Sequence, residues 1–335
     1  MGVYVHNPRN PKPRKPQSPN VSPLARLRNH INDRDRLILS WLYDHHALTS
    51  AQIAHALFPS LDFAQRRLKL LTELQAITRF RPNKLDGGSF PYHYLLDQLG
   101  FTYIMGERQE GLPRRDEASR RRQSVMTRPD LKHLLGANQF FIDLAGHART
   151  EPGAALEVWR PASDFHTPIL LLRKGDSLHM AATSGVRLPR PDGAGVWRQD
   201  GRAVPFWVEY DTGTERLDIL TEKIFKYATL AESAQWAWPA LFLLPSQRRE
   251  DNLHNEIAEY LRPPKALWFT ANTELLTVSG SPAGRVWRAG GLLHRLGVLP
   301  LIDLPYLDRE HDEHHQVVNP RPWHDKPGME PDDDD

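Results

Sequence analysis

Between Asp33 and Ile104 the apolar positions recur first at helical and then at alternating spacing. Leu37, Ile38, Trp41 and Leu42 form one stripe, with Asp33 placed to cap the helix that carries it. Thr49 is placed to cap a second, short helix that buries Ile53, Ala56 and Leu57. After a break at Pro59-Ser60, the residues Ala64, Leu68, Leu71 and Leu74 or Gln75 keep helical spacing over Asp62 to Gln75. That spacing turns Gln65, Arg66, Arg67 and Lys69 outward. Ile77-Thr78-Arg79-Phe80-Arg81 and Tyr92-His93-Tyr94-Leu95-Leu96 then alternate on either side of Asp86-Gly87-Gly88, which predicts a β-hairpin.

Helix, short helix, turn, basic helix and hairpin is the order of a winged helix-turn-helix, a unit that binds double-stranded DNA. On that reading Arg66 and Arg67 face base edges, because a guanidinium can pair bidentately with guanine, and Gln65 and Lys69 lie beside them. Arg79, Arg81 and Lys84 on the hairpin would run along phosphates, where contacts add affinity without reading sequence. His45 and His46 are neighbours at a helix end and face different ways, which suits surface roles better than a shared metal.

From about Pro129 to Leu304 strand and helix patterns alternate, which predicts an α/β domain. Trp238 to Pro245 and Ala266 to Thr270 read as buried strands, with a helix near Asn252 to Leu261 between them, and Trp287 reads as core. The segment from Arg190 to Tyr227 is the richest in chemistry. Arg190-Pro191-Asp192-Gly193 leads into Val196-Trp197-Arg198, a turn at Asp200-Gly201, and a strand from Val204 to Asp211. Period two places Trp207, Glu209 and Asp211 on one face of that strand, and Phe206, Val208 and Tyr210 on the other. Two carboxylates in line on an apolar strand are costly to bury unless something positive offsets them. Asp192, Glu209 and Asp211 together would suit magnesium or manganese, which prefer oxygen ligands. A helix from about Glu215 to Leu230 follows, with Leu217, Leu220, Ile224 and Tyr227 as its stripe and Lys223 at the edge of that stripe. A lysine there can reach the carboxylates and stabilise charge developing on a phosphate.

Composition sets bounds on these readings. The chain has 335 residues, 40% hydrophobic and 25% charged, which fits two globular domains. No run is apolar and long enough to span a bilayer, no apolar segment follows the basic N-terminus, and cysteine is absent. A cytoplasmic protein with no membrane partner is therefore expected. The net charge of +2 hides an asymmetry. From Asp308 onward there are ten acidic and three basic side chains, so the remainder carries 40 basic against 31 acidic groups. Arg9, Lys12, Arg14, Lys15, Arg26 and Arg28 precede the first acid. A basic body implies a polyanionic partner.

Asp192, a hairpin, and a strand bearing Glu209-Tyr210-Asp211 resemble the layout of the PD-(D/E)xK nuclease superfamily, with Asp211 where that motif has lysine and Lys223 able to replace it from the next helix. As a whole the chain is similar to the replication-relaxation family of actinobacterial plasmids and integrative elements. The residues that carry this are Arg67-Leu68-x-x-Leu71, Tyr94-Leu95-Leu96-x-x-Leu99-Gly100, Pro191-Asp192-Gly193, Glu209-Tyr210-Asp211-x-Gly213-Thr214-Glu215, Lys223 and Tyr227. The resemblance implies a mixed α/β protein, a winged helix-turn-helix followed by a restriction-endonuclease-like domain. The expected divisions are a basic disordered arm over 1–30, the winged helix over 31–106, a basic linker over 107–128 with Arg114, Arg115, Arg120, Arg121 and Arg122, the nuclease-like domain over 129–307, and an acidic disordered tail over 308–335. It further implies a part in plasmid replication or relaxation. One reading is metal-dependent nicking, with Asp192, Glu209, Asp211 and Lys223 as the catalytic set; the other is a non-catalytic initiator or regulator. Other plasmid replication or transfer proteins, and a second copy of the chain, are candidate partners. The tail group His311-Asp312-Glu313-His314-His315 lacks a fold to hold a metal.

Overall fold

Helix formation begins earlier than the charge pattern suggests. In the computed structural model, which describes residues 22–82, 90–166, 188–234 and 236–307, the segment Pro23–Arg28 is a helix, α1, capped by Ser22 and burying Leu27. The expected arm therefore does not extend to residue 30. Residues 1–21 and the acidic tail from 308 lie outside the described residues, as does the expected turn at Asp86-Gly87-Gly88.

The first half follows the predicted order closely. Helix α2 spans Asp33–His45, β1 Leu48–Thr49, α3 Ser50–Leu57 and α4 Leu61–Glu73. The cap of α2 is Asn32 rather than Asp33: the Asn32 side chain accepts from the Asp35 amide, and the Asp35 carboxylate accepts from the Asn32 amide. Thr49 and Gln52 make the same reciprocal pair at the start of α3. Strands β2 (Ile77–Phe80) and β3 (His93–Leu96) pair antiparallel from Ile77↔Leu96 to Phe80↔His93, and β1 adds to β3, giving the order β1-β3-β2. Ile38, Leu42, Ile53, Leu68, Leu71 and Tyr94 close the core between helices and sheet.

Helix α5 (Gln98–Glu107) packs on α2, and α6 occupies Glu117–Thr127. The sequence pattern reads this second stretch as an exposed linker. It folds because Ala118 and Val125 bury against the first unit, too small a stripe to register as amphipathic.

The second half is built on a seven-stranded sheet with the order β10-β9-β8-β7-β6-β5-β4. Helix α7 (Leu131–Thr150) leads into β4 (Ala154–Pro161), and the hairpin β5 (Gly193–Gln199) and β6 (Arg202–Tyr210) follows. Asp200 and Gly201 both have positive φ, 50° and 78°, the two-residue turn that matches strand twist. Then come α8 (Leu217–Ala234), β7 (Ala240–Leu244), α9 (Gln247–Ala258), β8 (Trp268–Asn272), α10 (Thr273–Ser279), β9 (Arg285–Ala289) and β10 (Val298–Pro300). Strands β6, β7 and β8 run parallel and the rest pair antiparallel. The two faces of β6 separate as period two predicts. Phe206 and Val208 join Phe140, Phe141 and Trp287 in one core, and Trp207 joins Leu220, Ile224 and Tyr227 in the other.

Helix α7 interlocks the two halves. Buried Asn138 donates to the carbonyls of His45 (3.2 Å) and Ala47 (3.1 Å), and Gln52 of α3 donates to the Leu135 carbonyl at 2.9 Å. Trp159 of β4 stacks on His45 with ring centres 3.6 Å apart. His45 is thus an interface residue, not a surface one. Among the described residues no helix is long and apolar enough to cross a membrane.

Candidate active site and nucleic-acid interface

Antiparallel pairing brings Asp192 to the end of β6. Its amide donates to the Val208 carbonyl at 2.9 Å, and its Oδ2 accepts from the Tyr210 amide at 2.8 Å. Asp192 is thus fixed by backbone, and its Oδ1 faces His133 of α7, with Nε2 2.8 Å away. Glu209 points from the same strand toward α8 and is 2% exposed. Its Oε1 accepts from the Tyr227 hydroxyl at 2.8 Å, and its Oε2 lies 3.1 Å from Lys223 Nζ. Lys223 also lies 3.3 Å from Glu215. Lys223 and Tyr227 are four residues apart, so one face of α8 presents both to one carboxylate. The Oε2 atoms of Glu209 and Glu215 are both buried, and Lys223 Nζ is the ion-pair partner they share.

Asp211 stands apart from this cluster. Its carboxylate accepts from Arg249 Nε of α9 and from the Gly213 amide at 2.8 Å, and Arg249 also donates to the Glu215 carbonyl at 2.6 Å. Among the described residues no three His, Asp or Glu side chains converge as a cage for a cation. Each of the three carboxylates therefore faces a basic side chain: His133 for Asp192, Lys223 (shared with Glu215) for Glu209, Arg249 for Asp211.

On α4, Gln65, Arg66 and Lys69 are exposed as the spacing predicts. Arg67 is not, and this corrects the sequence reading. Its guanidinium bonds both oxygens of Asp35, a fully buried carboxylate, and donates to the His30 carbonyl at 2.7 Å. Arg67 ties α4 to the start of α2 instead of facing outward. On the hairpin, Arg79 and Arg81 stack over the Tyr92 ring at 4.1 and 4.2 Å, which holds both cations along one edge. Lys84 lies outside the described residues.

The sequence model of a family described as Replication-relaxation matches residues 39–243. The chain belongs to the replication-relaxation family. No curated protein and no solved structure matches it. The matched span contains α4, the hairpin strands, Asp192, Glu209, Asp211 and Lys223, so the family pattern covers both the exposed basic helix and the carboxylate cluster.

In this replication-relaxation protein three site residues escape a reading by spacing. His133 is 59 positions from Asp192, and only the packing of α7 on the sheet brings them together. Glu215 and Arg249 are likewise recruited across elements. Burial pushes the Glu209 carboxyl up to about 7, against the pull of Lys223. Burial also works against the Lys223 ammonium, but Glu209, Asp192 and Glu215 outweigh it and hold its pKa above the ordinary lysine range. The hydrogen bond to Asp192 raises His133 above 6.5.

These shifts predict a pH dependence with a definite sign. The folded protein keeps the Glu209 proton up to about pH 7, whereas the ordinary value is 4.5. The stabilisation is therefore fully present below pH 4.5 and lost as pH rises through 7, and His133 acts in the same direction. Urea unfolding should show stability falling between pH 5 and pH 7.5 by roughly 3 kcal/mol. Glu209→Gln should remove most of that slope; an unchanged slope would exclude Glu209 as its source.

Proposed function

We propose that this protein binds plasmid double-stranded DNA through a winged helix-turn-helix and cuts one strand by hydrolysis at Asp192, Glu209 and Lys223. Helix α4 would enter the groove with Gln65, Arg66 and Lys69, while Arg79 and Arg81 follow phosphates on the hairpin. The observation that carries the catalytic reading is Lys223 Nζ at 3.1 Å from Glu209. The strand has an acid at position 211, where a nuclease of the PD-(D/E)xK layout has lysine, and α8 supplies that charge instead.

Magnesium is held by one or two carboxylates together with substrate phosphate and water, so Asp192 and Glu209, whose Oε2 faces Lys223 at 3.1 Å, would be the protein ligands. When bound, such a cation polarises the phosphate and lowers the pKa of water. Asp211, committed to Arg249, is not in this ligand set. Lys223 would balance charge on the phosphate, and His133 orients Asp192. Tyr227 is 4% exposed and donates to Glu209, so it is not available as a nucleophile, and this reading assigns that role to water.

The test is supercoiled plasmid incubated with protein and magnesium or manganese. Relaxed circles should form, and Asp192→Ala/Glu209→Ala should abolish them while DNA binding persists. A second reading, a DNA-binding initiator that does not cut, is favoured by the Asp211–Arg249 pair. It predicts DNA binding indifferent to chelator and to Glu209→Ala, with no relaxed product from the unaltered protein.

A further inference from the structure

We infer that α6 is a second, sequence-independent phosphate track that extends the hairpin's contact along the duplex. This rests on the DNA-binding half of the proposed function, not on cutting.

Between Arg114 and Arg128 the chain has six arginines and two acids. Two of the six are turned to internal partners: Arg122 reaches Asp97 at 2.6 Å, and Arg128 reaches Asp130 at 2.6 Å. The others face outward. Arg114, Arg120 and Arg121 line an open groove with Glu117 and Ser124, on positions 117, 120, 121 and 124 of one helix face. Arg121 lays its guanidinium over Tyr43 and Phe101, 5.0 and 4.7 Å from the ring centres, which fixes where the cation sits while the residue stays exposed. Arg120 is paired with Asp116 at 3.1 Å, an exposed contact that solvent weakens.

Several like charges on one side of a helix repel each other unless a polyanion is there to receive them. The position of α6 points to DNA as that polyanion. Val125, near its C-terminal end, packs with Leu95 of β3 and with Phe80. Phe80 sits between Arg79 and Arg81, the two cations that share the Tyr92 ring. The arginines of α6 are therefore carried on a helix that packs against both strands of the hairpin. Eleven helical residues extend the track by roughly 16 Å, about five base pairs of duplex. Helix α4 lies elsewhere on the first unit, packed on α3 and β2 and tied by Arg67 to the opposite end of α2 from Tyr43. The track thus flanks the segment that α4 contacts and adds affinity without adding sequence preference.

The experiment measures affinity of the full chain for a duplex of about 30 base pairs and arbitrary sequence, across a series of KCl concentrations. Each lost phosphate contact flattens the plot of log K against log salt by about 0.9. Arg114→Ala/Arg120→Ala/Arg121→Ala should flatten it by about 2 to 3 and weaken every duplex alike. Arg114→Glu/Arg115→Glu changes only exposed side chains ahead of the helix, so it keeps the fold and should also flatten the plot. If both variants keep the wild-type slope while Arg66→Ala/Lys69→Ala loses affinity, the track is wrong and DNA binding by α4 stands. If the unaltered protein shows no salt-dependent DNA binding, the winged-helix reading fails and the track falls with it.

Discussion

Arg67→Ala should lower the thermal midpoint by about 10 °C, whereas Arg66→Ala, one residue away, should leave it nearly unchanged. The difference comes from what each guanidinium touches. Arg66 is exposed and lies over Phe63 on its own helix, 4.6 Å from the ring centre. Arg67 is the cation for Asp35, whose carboxylate is fully buried and also accepts the Asn32 amide that caps α2. Removing one partner of a buried pair leaves a charge without water or counter-charge, which costs about 3–5 kcal/mol. Arg67→Lys should recover only part of the loss, because an ammonium cannot bond both carboxylate oxygens in the plane of a guanidinium fork. Scanning calorimetry of the three variants checks this. Equal midpoints for Arg67→Ala and Arg66→Ala would remove Arg67 from the fold and return it to the outward face of α4.

Lys223→Ala should destabilise the protein at pH 8 by about 3 kcal/mol, and by clearly less at pH 6. At pH 8 Glu209 is ionised and buried, and Lys223 is the cation nearest its Oε2. At lower pH Glu209 takes up a proton and no longer needs a counter-charge, so the penalty shrinks. Asp192 and Glu215 also lose their shared neighbour, which adds repulsion within the cluster at high pH. Lys223→Ala/Glu209→Gln should be more stable than Lys223→Ala alone at pH 8. Denaturant unfolding of the two variants at both pH values decides the matter. A penalty independent of pH would mean that Lys223 acts through packing of its stem rather than through charge.

Local order was written into the chain at short range. The cap of α3, the Asp200-Gly201 turn and the stripes of α2 and α4 each depend on residues within about four positions of one another, and all are readable from spacing. So is the division of β6 into two faces, and with it the meeting of Glu209 and Lys223, since a strand of period two and a helix stripe both point inward. Partners set by tertiary packing were not readable. Arg67 and Asp35 are 32 positions apart, and Arg249 and Asp211 are 38 apart. An outward position on a helical wheel says only that a side chain leaves its own helix, and Arg67 leaves α4 to enter the neighbouring one. Helix α6 was hidden for a different reason: five of its residues from Glu117 to Arg122 are charged or small polar, and its buried stripe is two residues long.

The grip of α7 on the first unit has a consequence for how such proteins can diversify. Asn138 supplies donors to the His45 and Ala47 carbonyls, and Leu131, Leu134 and Leu135 cover Ala47 and Leu95. A first unit detached at residue 128 would lose those donors and leave that apolar face bare. The first unit of this chain is therefore not a free module, because its surface is completed by α7. On the proposed reading of α4, a change of target would come through its exposed side chains, while the carboxylate cluster keeps its place relative to them.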